Sequence, residues 1–309
     1  MNYREFCAIL NKHIFEGEKK ELLRKIAERP ERFIGLFRPT KPGAKVLQHI
    51  LQSHEIRFGD AMEELLSKLL QEWGFTVLPK IIIPDSTNPR IKLDIDQYFT
   101  DGVAYYFIEQ KVRDDHDSTK KRGQISNFEA KLEFLYRKHR YNTKGIMYFI
   151  DPDLVKNKNY YIEELNKMED TYGVELSLLY GGELFEYFGK FEVWETILEW
   201  LKQWKESLPE LPEINFDVEA ERSFIEIRDL EIRFWRRLLE NEKLWEEGIM
   251  EAVFRDGITL KLLLNFFRRQ PEAPYRRLAS LLSQKLEKYY NTKVGGGGEG
   301  RRFWVGEGC

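Results

Sequence analysis

The chain has few cysteines and no long apolar run, and each absence excludes a class of protein. Its two cysteines, Cys7 and Cys309, stand near opposite ends of the 309 residues and lack metal-ligand spacing, which argues against a disulfide framework and a zinc site. No apolar run reaches the roughly 18 residues that span a bilayer. The first 20 residues also lack the hydrophobic stretch of a signal peptide. We therefore expect a soluble, cytoplasmic protein.

A large excess of positive charge is also missing. Lys and Arg number 49 and Asp and Glu number 52, so the net charge is -3 at pH 7. This balance argues against a basic coat over the whole surface but permits a basic groove on an acidic body. The hydrophobic fraction of 42% is enough for a sizeable core, and the length fits one large domain or two modest ones.

Strand signals are confined to the middle of the chain. Before them, the apolar residues between Ala61 and Trp73 repeat at helical spacing, and Gly74 supplies a stop signal. The other elements predicted in this region are helices at residues 124–139 and 160–168 and strands at residues 75–83, 91–100, 103–112, 144–150 and 174–180.

From residue 193 onward the strand signals fade, and helical patterns continue to about residue 290. This order predicts an α/β protein with a central mixed β-sheet flanked by helices and an α-helical C-terminal subdomain. The predicted segments are an N-terminal helical lead-in (1–50), the α/β core (51–206), a helical C-terminal domain (217–291) and a flexible glycine-rich tail (292–309).

Acidic residues and a lysine alternate along two predicted strands that share a tight turn. The Asp-Gly pair at residues 101–102 is a strong hairpin signal. Because side chains alternate along a strand, Asp94 and Asp96 share one face, and Glu109 and Lys111 share one face of the neighbouring strand. If the two faces coincide, these residues form one charged cluster.

Such a cluster suits a Mg²⁺-dependent phosphodiesterase. Mg²⁺ takes oxygen ligands and keeps several waters, so two or three carboxylates around an open face fit it. A nearby lysine can stabilise the phosphate or orient the attacking water. The alternative is that these charges are exposed residues on a solvated hairpin.

The cluster resembles the motif of the PD-(D/E)XK nuclease superfamily, in which an Asp opens one strand and Glu-x-Lys follows on the next. The second part reads Glu109-Gln110-Lys111, and 12 residues separate Asp96 from Glu109. Ile95 stands where many members have a proline. The resemblance implies a restriction-endonuclease-like core of a helix, three strands, a helix and a strand.

The resemblance also implies roles for individual residues. The catalytic residues would be Asp96, Glu109, Lys111 and Glu63. The metal ligands would be Asp96, Glu109, Asp94 and Gln110. Glu63 stands 11 residues before Gly74, where many members carry a helical glutamate. Whether Glu63 or Asp94 completes the metal site stays open. Alternation along the strand turns the Gln110 side chain to the face opposite Glu109 and Lys111. A structural role for Gln110 is therefore the alternative to metal binding.

Three segments resemble type II restriction endonucleases more narrowly, namely residues 56–75, 107–133 and 176–189. The resemblance implies Mg²⁺-dependent, sequence-specific hydrolysis of double-stranded DNA with 5′-phosphate products. It also implies a homodimer, because one site cuts one strand, and a companion DNA methyltransferase. The alternatives are a structure-specific repair or junction-resolving nuclease of the same fold and a catalytically silent DNA-binding protein.

Two groups of polar residues are candidates for DNA contact. The first lies in a predicted polar loop after the Glu-x-Lys strand, and its members are Arg113, Ser118, Thr119, Lys120, Lys121, Arg122 and Gln124. The second flanks a turn between two predicted helices, and its members are Arg268, Arg269, Arg276 and Arg277. The arginines could contact guanine bases from a helix-turn-helix-like element, because Arg is the usual partner of guanine in the major groove. The alternative is an ordinary helical hairpin with solvated arginines. His116 is left out of the site, because a single histidine in a polar loop is more often unengaged.

Overall fold

The computed structural model describes residues 1–37, 39–82, 92–114 and 117–290. The chain divides into two compact units. The first combines Met1–Ile14 with Glu55–Leu208, and the second combines Phe15–His54 with the described residues after Leu208. The predicted glycine-rich tail at residues 292–309 lies outside the described residues.

In chain order, the helices and strands are α1 (Tyr3–Phe15), α2 (Glu18–Glu28), α3 (Pro42–Glu72), β1 (Thr76–Val77), β2 (Ile81–Ile82), β3 (Leu93–Asp94), β4 (Gln97–Thr100), β5 (Tyr105–Lys111), α4 (Ser118–His139), β6 (Thr143–Phe149), α5 (Lys158–Tyr172), β7 (Glu175–Tyr180), α6 (Glu183–Tyr187), α7 (Phe191–Glu206), α8 (Ala220–Ile227), α9 (Ile232–Glu240), α10 (Glu242–Glu246), α11 (Ile249–Val253), α12 (Ile258–Arg269) and α13 (Ala273–Tyr289). Short 3₁₀ turns cover Pro30–Arg32 and Arg140–Asn142.

A mixed five-stranded sheet forms the centre of the first unit, in the order β1, β4, β5, β6, β7. Strand β4 pairs antiparallel with both β1 and β5, and β6 pairs parallel with both β5 and β7. Helices α4 and α5 cover one face, where a buried cluster includes Phe107, Phe128 and Phe149. The predicted α/β fold with a mixed sheet and a helical C-terminal region is confirmed.

The predicted strand at residues 75–83 was wrong as a single element. It is divided at Pro79, so that β1 pairs with β4 in the main sheet while β2 pairs with β3 in a separate two-stranded ladder. The predicted strand at residues 91–100 is divided in the same way by Ile95, whose backbone N donates to the Lys80 carbonyl at 3.0 Å. Pro79 has no backbone N–H to donate to a neighbouring strand, which favours the interruption of the predicted strand at residues 75–83.

Two helices begin earlier than the sequence patterns predict. Helix α3 starts at Pro42 rather than near residue 60, and a proline is well tolerated in the first turn of a helix. Helix α4 starts at Ser118 rather than near Gln124, because the Asp117 carboxylate accepts hydrogen bonds from the backbone N of Thr119 and of Lys120. The predicted polar loop is therefore partly helical.

The second unit is all-helical within the described residues. Its core joins residues of α2 and of the first part of α3 to helices α8 to α13, and includes Ile26, Trp235, Leu263 and Leu282. Among the described residues, no helix has the length and apolarity needed to span a membrane.

Candidate active site

The break between β3 and β4 places Asp96 beside the strand that carries Glu109. Asp96 directly precedes β4, whose Gln97 pairs with Ile108 of β5. Its Oδ2 accepts a hydrogen bond from the Gln110 backbone N at 2.7 Å. This hydrogen bond holds the Asp96 carboxylate against the C-terminal end of β5.

Lys111 joins the two carboxylates. Its Nζ donates to Asp96 Oδ2 at 3.2 Å and to Glu109 Oε1 at 2.8 Å. The same Nζ donates to the Gln110 carbonyl at 2.9 Å. Because side chains alternate, Glu109 and Lys111 share the face of β5 that carries Phe107 and that α4 covers. The structure therefore brings Asp96, Glu109 and Lys111 into one cluster.

A second lysine, which the sequence reasoning missed, also contacts Glu109. Lys131 of α4 forms an ion pair with Glu109 Oε2, and both side chains are buried, at 3% and 2% exposure. Asn127, one helical turn earlier, donates to Glu109 Oε1 at 3.2 Å. A signal was present in the sequence, because Lys131 lies three residues after Phe128 and so interrupts the apolar stripe of a helix that packs on the sheet.

Burial and neighbouring charges change the pKa values of Asp96 and Lys111. Burial raises the pKa of the Asp96 carboxyl, and the charge of Glu109 raises it further, against the opposing effect of Lys111. Burial by itself would lower the pKa of Lys111, but the charges of Glu109 and Asp96 outweigh that effect and raise this pKa above its usual value. Lys111 therefore keeps its proton at neutral pH and acts as a donor.

Glu63 of α3 lies near this cluster. Its backbone carbonyl accepts a hydrogen bond from Gln97 Nε2 at 2.7 Å, and its carboxylate lies 3.6 Å from Lys80 Nζ. Burial and the charge of Asp96 raise the pKa of Glu63 to about 7, although Lys80 and Lys111 oppose the rise. The carboxyl borders an open cleft of about 590 Å³. Glu63 therefore interacts electrostatically with the cluster and lines a cleft that is open to solvent.

Asp94 and the Gln110 side chain occupy different surroundings. Asp94 is exposed in β3 opposite Ile81, and among the described residues no hydrogen bond or ion pair links it to Asp96, Glu109 or Lys111. The expectation that Asp94 and Asp96 share a strand face is wrong, because the strand is interrupted between them.

The Gln110 side chain lies on the opposite face of β5, as alternation predicts. It is buried beside Met62 and Leu66 of α3 and Tyr148 of β6. Within the described part of the chain, its Oε1 has no hydrogen-bond partner. Its backbone carbonyl, in contrast, faces Lys111, so any metal contact of Gln110 would come from the backbone.

Three oxygens converge on the Lys111 ammonium nitrogen. Asp96 Oδ2, Glu109 Oε1 and the Gln110 carbonyl all lie within 3.2 Å of Nζ, so they already surround a cation. Within the described ranges, no group of three or more His, Cys, Asp or Glu side chains could hold a metal ion by itself. The donors nevertheless fit Mg²⁺, which takes hard oxygen ligands, including a carbonyl, and keeps several waters.

The first predicted DNA-contact group lies mostly at the start of α4. Ser118, Thr119, Lys120 and Arg122 are exposed in its first two turns. Arg122 Nε donates to the Ser118 carbonyl at 3.0 Å. Lys121 lies over the ring of Tyr160 at 4.3 Å, Gln124 Oε1 accepts from Tyr161 at 2.6 Å, and Arg113 lies 3.6 Å from Glu55. His116 lies outside the described residues.

The second predicted group flanks a short connection between two helices. Arg268 and Arg269 end α12, and Arg276 and Arg277 lie in the first turns of α13. Arg277 donates to Glu240 at 2.9 Å. The helix-turn-helix order of elements is therefore present, in a unit separate from the one that carries Asp96.

Comparison with protein families gives a match over most of the chain. The family described as type II restriction endonuclease, HinfI, matches residues 2–81 and 74–205. The matched region contains α3, the five strands of the sheet and α4, and thus every residue of the cluster around Lys111. No curated protein matches the chain.

Proposed function

This chain belongs to the HinfI family of type II restriction endonucleases, and we propose that it cuts double-stranded DNA in a Mg²⁺-dependent reaction that leaves 5′-phosphates. The observation that carries the proposal is the convergence of three oxygens, from Asp96, Glu109 and Gln110, around the Lys111 ammonium. Such a set of oxygen donors beside a protonated lysine suits hydrolysis of a phosphodiester.

Asp96, Glu109 and the backbone carbonyl of Gln110 would hold the metal ion. When bound, Mg²⁺ lowers the pKa of a water in its coordination shell and neutralises charge on the phosphate oxygens. Lys111 would orient the attacking water and stabilise the negative charge that grows on the phosphate. Because the carboxylates raise the pKa of Lys111, we assign it the role of donor rather than of general base.

Glu63 is the carboxylate that we propose as the additional catalytic and metal-associated group. Burial and, after it, the charge of Asp96 raise its pKa to about 7, and the second effect supports a position within electrostatic reach of the cluster. Asp94 lies in a separate two-stranded ladder and, among the described residues, makes no hydrogen bond or ion pair with Asp96, Glu109 or Lys111.

Each unit carries positive and polar side chains that are candidates for DNA contact. The exposed residues at the start of α4 follow the strand that carries Lys111, so they suit contacts with phosphates on either side of the cleaved bond. Arg268, Arg269, Arg276 and Arg277 would contact DNA through bases or phosphates. Because one cluster cuts one strand, we also propose a two-fold homodimer and a companion methyltransferase that protects host DNA.

The test is cleavage of plasmid DNA by the purified protein. We expect discrete fragments with Mg²⁺, no cleavage with EDTA, and ends that DNA ligase joins without prior phosphorylation. Asp96→Ala and Lys111→Ala should bind DNA in Ca²⁺ but not cut it, whereas Lys167→Ala, which removes an exposed lysine of α5, should cut normally. Metal-independent cutting, smeared products or an active Lys111→Ala variant would contradict the proposal.

A further inference from the structure

We propose that Lys131 is a positioning residue of this site, which holds the Glu109 carboxylate in the orientation needed for metal binding without touching the substrate itself. The inference rests on the proposed function, because it concerns the group that would hold Mg²⁺. It adds a residue that lies 20 positions beyond Lys111 and on a different element.

Glu109 and Lys131 form a pair that is almost completely removed from water. Their side chains are 2% and 3% exposed, and the ammonium of Lys131 donates to Glu109 Oε2. An ionised carboxylate at such a position is unfavourable unless a positive charge and hydrogen bonds compensate it. Lys131 supplies a positive charge at Oε2, Lys111 supplies another at Oε1, and Asn127 supplies a further hydrogen bond at 3.2 Å.

The two oxygens of Glu109 have different partners, and this difference separates the roles of the two lysines. Oε2 faces Lys131, whereas Oε1 faces Lys111 and Asn127. The Lys111 side chain is 30% exposed and also reaches Asp96, so it can meet a substrate. Lys131 is enclosed between α4 and the sheet, so its effect on the reaction must pass through Glu109.

The packing of α4 against the sheet fixes the position of Lys131. Phe128 and Leu132, on either side of it in α4, are fully buried in the core against the sheet. A lysine in this apolar stripe is not explained by stability, because a well-packed apolar pair of similar volume usually stabilises a fold as well as a buried ion pair does. Its presence is explained if the Glu109 carboxylate must be held in one orientation.

The inference is tested by metal binding in the absence of DNA. We expect Lys131→Met to weaken Mn²⁺ binding about 10- to 100-fold in an electron paramagnetic resonance titration, as loss of a group that orients a ligand does. Lys131→Arg should retain more affinity than Lys131→Met, and Lys138→Met, an exposed change on the same helix, should match the wild type. Mn²⁺ affinity of Lys131→Met within about threefold of the wild type would overturn the inference.

Cleavage kinetics give a second readout. Lys131→Met should need a higher Mg²⁺ concentration for half-maximal rate, with KM for DNA unchanged, because the substrate does not touch Lys131. If KM rises while the Mg²⁺ dependence stays that of the wild type, Lys131 binds DNA and the inference is wrong.

The Lys131→Met change removes one of the two lysines that pair with Glu109, and a double variant covers the outcome in which the single variant fails to fold. Glu109→Gln combined with Lys131→Met removes both charges, so it should restore folding measured by circular dichroism and urea denaturation. A double variant no more stable than Lys131→Met would refute the coupling. Wild-type protein that binds Mn²⁺ in a Lys131-dependent way but cuts no DNA would instead contradict the proposed function alone.

Discussion

Replacing Glu63 with glutamine should change the pH dependence of stability in a direction that the surroundings of this carboxyl determine. Burial and the nearby charge of Asp96 raise the pKa of Glu63 from its ordinary 4.5 to about 7. The folded protein therefore keeps the proton on Glu63 at pH values where the unfolded chain has lost it. The resulting stability is fully present below about pH 4.5 and is lost as the pH rises through about 7.

The magnitude follows from the difference between the two pKa values. Each pH unit corresponds to about 1.4 kcal/mol, so the difference between 4.5 and about 7 corresponds to about 3 kcal/mol. The side chain is 30% exposed, and solvent screening reduces this figure to roughly 1–3 kcal/mol. Glutamine resembles the protonated carboxyl, so Glu63→Gln should exceed the wild type in stability by that amount at pH 8, and the difference should shrink as the pH falls towards 5.

The assay is urea denaturation at intervals from pH 5 to pH 8.5, with EDTA present to remove metal. Glu64→Gln is the matched control on the same helix. Hydrogen bonding from His13 lowers the pKa of Glu64, and Lys12 contributes in the same direction, against a smaller effect of burial. Stability from Glu64 is thus present above its ordinary pKa, so Glu64→Gln should be less stable than the wild type at pH 8, the opposite sign to Glu63→Gln.

Two outcomes would refute the reasoning. A Glu63→Gln variant whose stability falls with pH as steeply as that of the wild type would show that Glu63 is not the group that titrates. A variant that is less stable than the wild type at pH 8 would show that the ionised carboxylate of Glu63 has a favourable partner that outweighs its burial.

Two further changes test the packing of each unit. Asp217→Ala should cost about 2–4 kcal/mol of unfolding free energy, since its buried carboxylate accepts from three backbone N–H groups at the start of α12, one of them Thr259 at 2.7 Å; a loss below about 0.5 kcal/mol in urea would contradict this. Gly145→Ala should cost about 1–3 kcal/mol, because its Cβ would lie 2.7 Å from both Phe107 and Leu176, and adding Leu176→Ala should restore part of the loss.

Local rules allowed much of the central cluster to be anticipated. The Asp-Gly turn and the alternation along β5 predict that Glu109 and Lys111 share a face near an aspartate of the neighbouring strand, and the structure brings them together. These contacts depend on neighbours in one hairpin, so short-range patterns contain the information. The predicted start of α4 was wrong, although the sequence contains a signal for the true start, because Asp117 is a favourable N-cap residue.

The family resemblance favoured Asp96 over Asp94, and the fold shows how the two carboxylates differ. Both carboxylates fit an alternating strand on paper, but the chain crosses from one ladder to the other at Ile95. The pairing of β2 with β3 depends on which segments find each other in space. No local pattern specifies that partner, because a strand can pair with any free strand edge.

By itself, the sequence determined the class of the fold, the identity of the Glu-x-Lys strand and the chemistry that these residue types favour. The tertiary structure alone decided that Lys131 joins the cluster. Lys131 reaches Glu109 from a helix 22 residues further along the chain, and Glu63 lies within electrostatic reach of Asp96, on a helix 33 residues before it. Side-chain periodicity reports which face of an element is buried, but only the packing of α3 and α4 against the sheet determines which charges meet there.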